Sequence, residues 1–155
     1  MLTDKKSIMV IDDDPDIVEF LRYNLNGSGY EVSTATSGLH AMWKIALSTP
    51  PDLILLDIMM PSPDGYEVLE YLKDSEFRNV PVIIVSARTT ENDIDRAYAL
   101  GADYFLPKPF SIERLLELAH QTTRFSSDDT QLLHEVHLDD IKRVHKPVRI
   151  LRNYS

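Results

Sequence analysis

Five short apolar runs, each closed by polar or turn-forming residues and followed by a stretch of helical period, constrain this chain more than any other feature. SIMVI (7–11) stops at acids, and Ile17, Phe20, Leu21 and Leu25 then recur at helical spacing until Gly27 and Gly29. YEVSTA (30–35) is a second strand, before a helix expected to turn Leu39, Met42, Ile45 and Ala46 inward and to end at Pro50-Pro51. In the third run Leu53 to Leu56 pass without a polar break, so both faces of that strand should be buried. Val68, Leu69 and Leu72 mark the third helix, and PVIIVS (81–86) the fourth strand. Thr90 is placed to cap a helix bearing Ile94, Ala97 and Leu100, with Gly101 as its stop. YFLP (104–107) is a short fifth strand, and Ser111 caps a last helix with Ile112, Leu115, Leu116 and Ala119. Strands alternating with helices imply an α/β fold whose parallel sheet is covered on both faces. Right-handed crossovers leave the doubly wound open sheet as the expected topology.

The pattern ends near residue 121. TTRFSSDDT reads as a linker, and in QLLHEVHLDDIKRVH the residues Leu133, Val136, Ile141 and Val144 fall near helical spacing. EVHLDD and PVRIL suit short strands equally, so 122–155 is expected as a linker and extension whose structure stays open, after a domain at 1–121. Charge divides at the same place: 1–121 hold 10 Lys+Arg against 20 Asp+Glu, whereas 122–155 hold 6 against 5. An acidic body suits a cation or a basic partner and argues against nucleic acid binding there. Only the basic end, KRVHKPVRILRNYS, suits a polyanion such as nucleic acid. No apolar run approaches the ~20 residues that span a bilayer, and the N-terminus has no export-signal pattern, so no membrane role is expected. Absence of cysteine excludes disulfides and thiolate metal sites and fits a cytoplasmic location.

In an open parallel sheet, the loops after the strand C-termini form the crevice where ligands bind. The first strand brings Asp12, Asp13 and Asp14 there, the third Asp57, the fourth Ser86-Ala87, and the fifth Lys108-Pro109. Carboxylates about 5 Å apart at an effective dielectric near 20 repel by roughly 3 kcal/mol per pair. An all-oxygen donor set relieved by a divalent cation suits Mg²⁺, and Mn²⁺ equally. Lys108 adds a cation for a bound anion, Ser86 a hydroxyl donor, and a carboxylate can attack phosphorus to give an aspartyl phosphate. Asp14 and Asp16, around Pro15, are better explained as charges at a helix N-terminus. An EF-hand starting at Asp12 fails, because its sixth position is Ile17 and its twelfth Tyr23.

VIDDDP, LLDIMMPSPDG, VIIVSA and GADYFLPKPF, in this order and spacing, resemble the receiver domain of two-component response regulators over residues 6–121. The resemblance implies a flavodoxin-like sheet of order 2-1-3-4-5. It implies that Asp57 accepts a phosphoryl group from the phosphohistidine of a sensor histidine kinase or phosphotransfer protein. Mg²⁺ would be held by Asp12, Asp13, Asp57 and the backbone carbonyl of Met59. Ser86 and Lys108 would bind the phosphoryl oxygens, with Lys108-Pro109 a cis peptide. Ser86 and Phe105 would be the switch pair, reshaping an output surface of the fourth helix, fifth strand and fifth helix. A phosphorylation-dependent homodimer would use that surface. Such a protein is no conventional enzyme; it catalyses its own phosphorylation and dephosphorylation. Met59 and Arg88 would flank the route of the hydrolytic water.

Two departures concern switching rather than chemistry: Ser62-Pro63 stiffens the loop after Asp57, and Phe105 lacks the hydroxyl of the commoner Tyr. Tyr98 and Tyr104 are expected half-exposed on the output surface, with packing against neighbouring helices as the alternative. Two other functions compete. A Mg²⁺-dependent aspartyl phosphatase would want Thr or Val in register after Asp12-x-Asp14 and a cap domain, and neither is present. A phosphorylation-independent scaffold would not need Asp12, Asp13, Asp57, Ser86 and Lys108 together.

Overall fold

The computed structural model describes residues 5–124, so the extension at 125–155, including the basic end, lies outside the described residues. Among the described residues, strands and helices alternate: β1 (Ser7–Ile11), α1 (Pro15–Gly27), β2 (Glu31–Ala35), α2 (Gly38–Leu47), β3 (Leu53–Leu56), α3 (Gly65–Lys73), β4 (Val82–Ser86), α4 (Glu91–Ala99), β5 (Tyr104–Pro107) and α5 (Ile112–Arg124). The strands pair in parallel, as the alternation predicts, and in the order β2-β1-β3-β4-β5 that the receiver resemblance implies.

The pleat sorts the apolar side chains into two cores. Met9, Ile11, Ile54, Leu56, Val82, Ile84 and Phe105 face the layer of α2, α3 and α4. Ile8, Val10, Leu53, Leu55, Ile83, Val85, Tyr104 and Leu106 face α1 and α5. The unbroken Leu53–Leu56 run is thus buried on both faces. β2, on the sheet edge, alternates instead between exposed and partly buried residues before Ala35.

Helix ends follow their local chemistry. Asp14 caps α1 by accepting from Asp16 N, with Pro15 in the first turn. Thr90 caps α4, and Ser111 Oγ accepts from Arg114 N at 3.1 Å. Gly101 follows α4 at φ 103, a conformation a side chain would strain. Asp64 and Glu67 form a reciprocal capping box on α3 that the spacing D-x-x-E carries in plain sight and that the strand-based reading passes over.

Five expectations need correction. Phe20, Leu39 and Ala46, assigned inward from helical spacing, are exposed, Leu39 by 70%. In α2 it is Ala41 and Ile45 that are buried, because the packed face lies off the longer apolar stripe Leu39, Trp43, Leu47. Tyr104 is buried against the α1/α5 layer rather than half-exposed. α5 also runs past residue 121 to Arg124, and the hydroxyls of buried Thr122 and Thr123 donate to the carbonyls of Leu118 and Ala119. The polar pair TT therefore looks like linker although its hydroxyls are satisfied inside the helix.

Candidate functional site

Parallel register fixes what stands beside what at the C-terminal edge. Ile11 lies opposite Leu56, so Asp12 and Asp57 leave neighbouring strands side by side. Asp57 N donates to Ile11 O at 2.9 Å and Asp12 N to Ala35 O at 3.1 Å, extending the ladder to both acids. Ser86 lies opposite Pro107, and Lys108 N donates to Ser86 O at 2.9 Å. The notch thus gathers residues almost a hundred positions apart.

Oxygens of Asp12, Asp13 and Asp57 lie within 4.8 Å of one another. Asp12 and Asp57 are buried, Asp13 exposed. Lys108 Nζ stands 2.8 Å from Asp12 Oδ2 and 3.6 Å from Asp57 Oδ2. Ser86 is fully buried, and its Oγ accepts from Arg88 N at 3.0 Å. Asp57 Oδ1 accepts from Met59 N at 3.1 Å. The Lys108-Pro109 peptide is cis; so is Ser62-Pro63 beside the notch, which the sequence reading does not anticipate. Phe105 is fully buried in the core that also holds Ile94 and Ala97 of α4.

Burial, then the charge of Asp12, pushes the Asp57 carboxyl up to about 6, against the Met59 hydrogen bond and Lys108, which favour its charged form. For Lys108, burial works against the cation, but the hydrogen bond and charge of Asp12, with Asp57 behind them, outweigh it and leave the ammonium raised. Three converging carboxylates with one lysine make a hard all-oxygen donor set still short of positive charge. That set fits Mg²⁺.

A pH dependence follows. Because the folded state raises the Asp57 pKa, the stability it lends is full below its ordinary 3.8 and is lost as pH rises through about 6. The loss is at most about 3 kcal/mol, since each tenfold change in proton affinity is worth about 1.4 kcal/mol. With divalent cations chelated, the stability advantage of Asp57→Asn over wild type should grow between pH 4 and 6.5 and then level off in urea titrations. An advantage flat across that window contradicts the burial effect.

The loop after Asp57 is shaped by steric necessity. A Cβ on Gly65 would lie 2.2 Å from the Asp57 carbonyl oxygen and 2.5 Å from Ile58 Cα. The first turn of α3 therefore rests directly on the backbone that carries Asp57. This contact is missed by the sequence reading, though Asp-Gly after two prolines is its signal.

The fold and the notch define a class: a doubly wound domain whose acidic, lysine-flanked crevice suits phosphoryl chemistry. Comparison with known proteins narrows it. Residues 8–120 match the response regulator receiver domain family, and the chain belongs to that family. It is 38% identical over 136 residues to the alkaline phosphatase synthesis transcriptional regulatory protein PhoP of Bacillus subtilis, covering 81% of this chain and 56% of the relative. The chain thus spans little more than half the length of that relative. Among solved structures, a Francisella response regulator 1452 receiver domain superposes with TM-score 0.70 at 34% identity, covering 77% of this chain and 98% of the other. A CheY-like receiver domain from Methanospirillum hungatei gives TM-score 0.74 at 26% identity, covering 83% and 98%.

Proposed function

We propose that Asp57 accepts a phosphoryl group from the phosphohistidine of a sensor histidine kinase or phosphotransfer protein. The observation that carries this reading is a buried carboxylate whose oxygens stand with those of Asp12 and Asp13 and 3.6 Å from the Lys108 ammonium. An Asp57 oxygen forms the new P–O bond as the P–N bond to the donor imidazole breaks, and the imidazole leaves with its electron pair. Asp12, Asp13, Asp57 and the Met59 carbonyl would hold Mg²⁺, which when bound supplies charge neutralisation between carboxylates and phosphate oxygens. Lys108 and the Ser86 hydroxyl hold the phosphoryl oxygens, so the protein contributes positioning and charge rather than acid–base groups.

Signalling follows from packing. Ser86 drawn to the phosphoryl group shifts the segment beside Phe105, whose ring lies in the core shared with α4. The output surface is then α4, β5 and α5, and a phosphorylation-dependent homodimer through it is part of this reading. Phe105, which lacks a phenol hydroxyl, is fully buried in that core. A protein working beside a kinase's cytoplasmic module sits in the cytoplasm, and no described helix is long and apolar enough to cross a membrane. The basic residues of 142–155 are the one stretch suited to nucleic acid contact, since the acidic body is not.

Acetyl phosphate with Mg²⁺ should give one hydroxylamine-labile phosphoryl group per chain. Steady turnover of p-nitrophenyl phosphate without such an adduct would contradict the reading. Lys108→Ala should still be labelled but lose the response of the output surface, read as hydrogen exchange in α4 and β5 on addition of beryllofluoride and Mg²⁺. An undiminished response would remove Lys108 from the switch.

A further inference from the structure

Behind the phosphorylation site a second set of side chains joins α3 to α4. Tyr66, next to the Gly65 that rests on Asp57 and Ile58, is buried, and its hydroxyl donates toward Asp93 Oδ1 at 3.0 Å and the Asp93 carbonyl at 3.2 Å. Asp93, also buried, takes the Thr90 hydroxyl on Oδ2 and the Arg88 guanidinium on Oδ1 at 3.3 Å. Arg88 N in turn donates to Ser86 Oγ, and Arg96 stacks 3.9 Å above the Tyr66 ring. A continuous path therefore runs from the backbone of Asp57 through Gly65, Tyr66, Asp93 and Arg88 to Ser86.

A helix cap explains Thr90 and Asp93 alone; it does not require a phenol 27 residues away or the flanking arginines. Burial works to raise the Asp93 carboxyl, but hydrogen bonds from Thr90 and Tyr66 and the charge of Arg88 outweigh it and hold it low. Burial and the bond to Asp93 push Tyr66 up to about 12, so the phenol stays a donor at any working pH. The contact is a charge-assisted hydrogen bond between buried groups, stronger than a neutral bond in water.

We propose that Tyr66 and Asp93 are positioning residues of the phosphorylation site, tying the backbone behind Asp57 to Arg88 and the N-terminus of α4. They form a second connection to the output surface beside Ser86 and Phe105. This rests on Asp57 being the acceptor. Coupling between sites is reciprocal, so a bond that carries it links occupancy at Asp57 and protection of α4 in both directions.

The test is hydrogen exchange of α4 (Glu91–Ala99) with and without beryllofluoride and Mg²⁺ in wild type, Tyr66→Phe and Asp93→Asn. Tyr66→Phe removes one hydroxyl and leaves the ring in place. Asp93→Asn keeps an acceptor for the phenol and discharges the contact to Arg88, so it serves if the first variant folds poorly. The ligand-induced change in α4 should fall at least about fivefold in either variant while that in β5 persists, a loss at the lower end of the usual range of site coupling. A merely structural role lowers protection equally with and without ligand and cancels in the difference. An α4 response equal to wild type in a folded variant overturns the proposal and leaves the acceptor intact. A wild-type protein without any response overturns both.

Discussion

Asp57→Asn takes up no phosphoryl group from acetyl phosphate or a histidine kinase, while the protein remains folded and, without divalent cations, becomes more stable near neutral pH. Both halves come from one side chain. The amide has no anionic oxygen to form an acyl phosphate, so labelling should fall to background, at least about a hundredfold, whatever binding energy Lys108 and Ser86 retain. Removing a carboxylate that burial and Asp12 hold near 6 relieves the cost of ionising it. The gain is about 2–3 kcal/mol at pH 7, the free energy of a roughly hundredfold change in proton affinity. A variant that labels stoichiometrically places the acceptor elsewhere, and one that loses stability contradicts the cost of ionising the buried carboxylate. Asp12→Asn and Asp13→Asn serve as controls: each keeps the Asp57 nucleophile and should lose labelling mainly through weaker cation binding.

Gly65→Ala should be severely damaging, because the methyl it adds has no room beside the acceptor strand. The added carbon would meet the Asp57 carbonyl oxygen at 2.2 Å and Ile58 Cα at 2.5 Å, and both are backbone atoms. Asp57 N is already committed to Ile11 O and Gly65 N to Ile58 O, so the strand tip and the helix must separate to make room. Overpacking against a rigid core costs typically about 1–3 kcal/mol, and backbone on both sides puts this case at or above the upper end. A denaturant midpoint corresponding to a loss of about 3 kcal/mol or more is expected, with slower labelling of whatever folds because Asp57 moves with its backbone. Wild-type stability and labelling in this variant would mean that α3 does not rest on the acceptor strand.

The sheet was legible because its signal is dense. Leu53–Leu56 announce a strand buried on both faces, and Asp12, Asp57, Ser86 and Lys108 each stand at or just past the end of such a run. Once strands are known to be parallel, register converts those steps into proximity without knowledge of side-chain contacts. Helix faces were less legible. In α2 the stripe Leu39, Trp43, Leu47 looks like a core face, yet the residues that pack are Ala41 and Ile45, and spacing alone does not choose between the two faces. Nor can spacing reveal the Tyr66–Asp93 bond: an Asp three residues after Thr90 is fully accounted for as a helix cap. Only the fold brings the phenol to it.

Phosphorylation followed by borohydride reduction tests the central claim most directly, since an aspartyl phosphate is reduced to homoserine and marks its own position in a peptide map. With acetyl phosphate and Mg²⁺, homoserine should appear at residue 57 alone and vanish when the cation is chelated. Homoserine at residue 12 or 13, or a stable phosphoryl group on another side chain with residue 57 unmodified, would contradict the account.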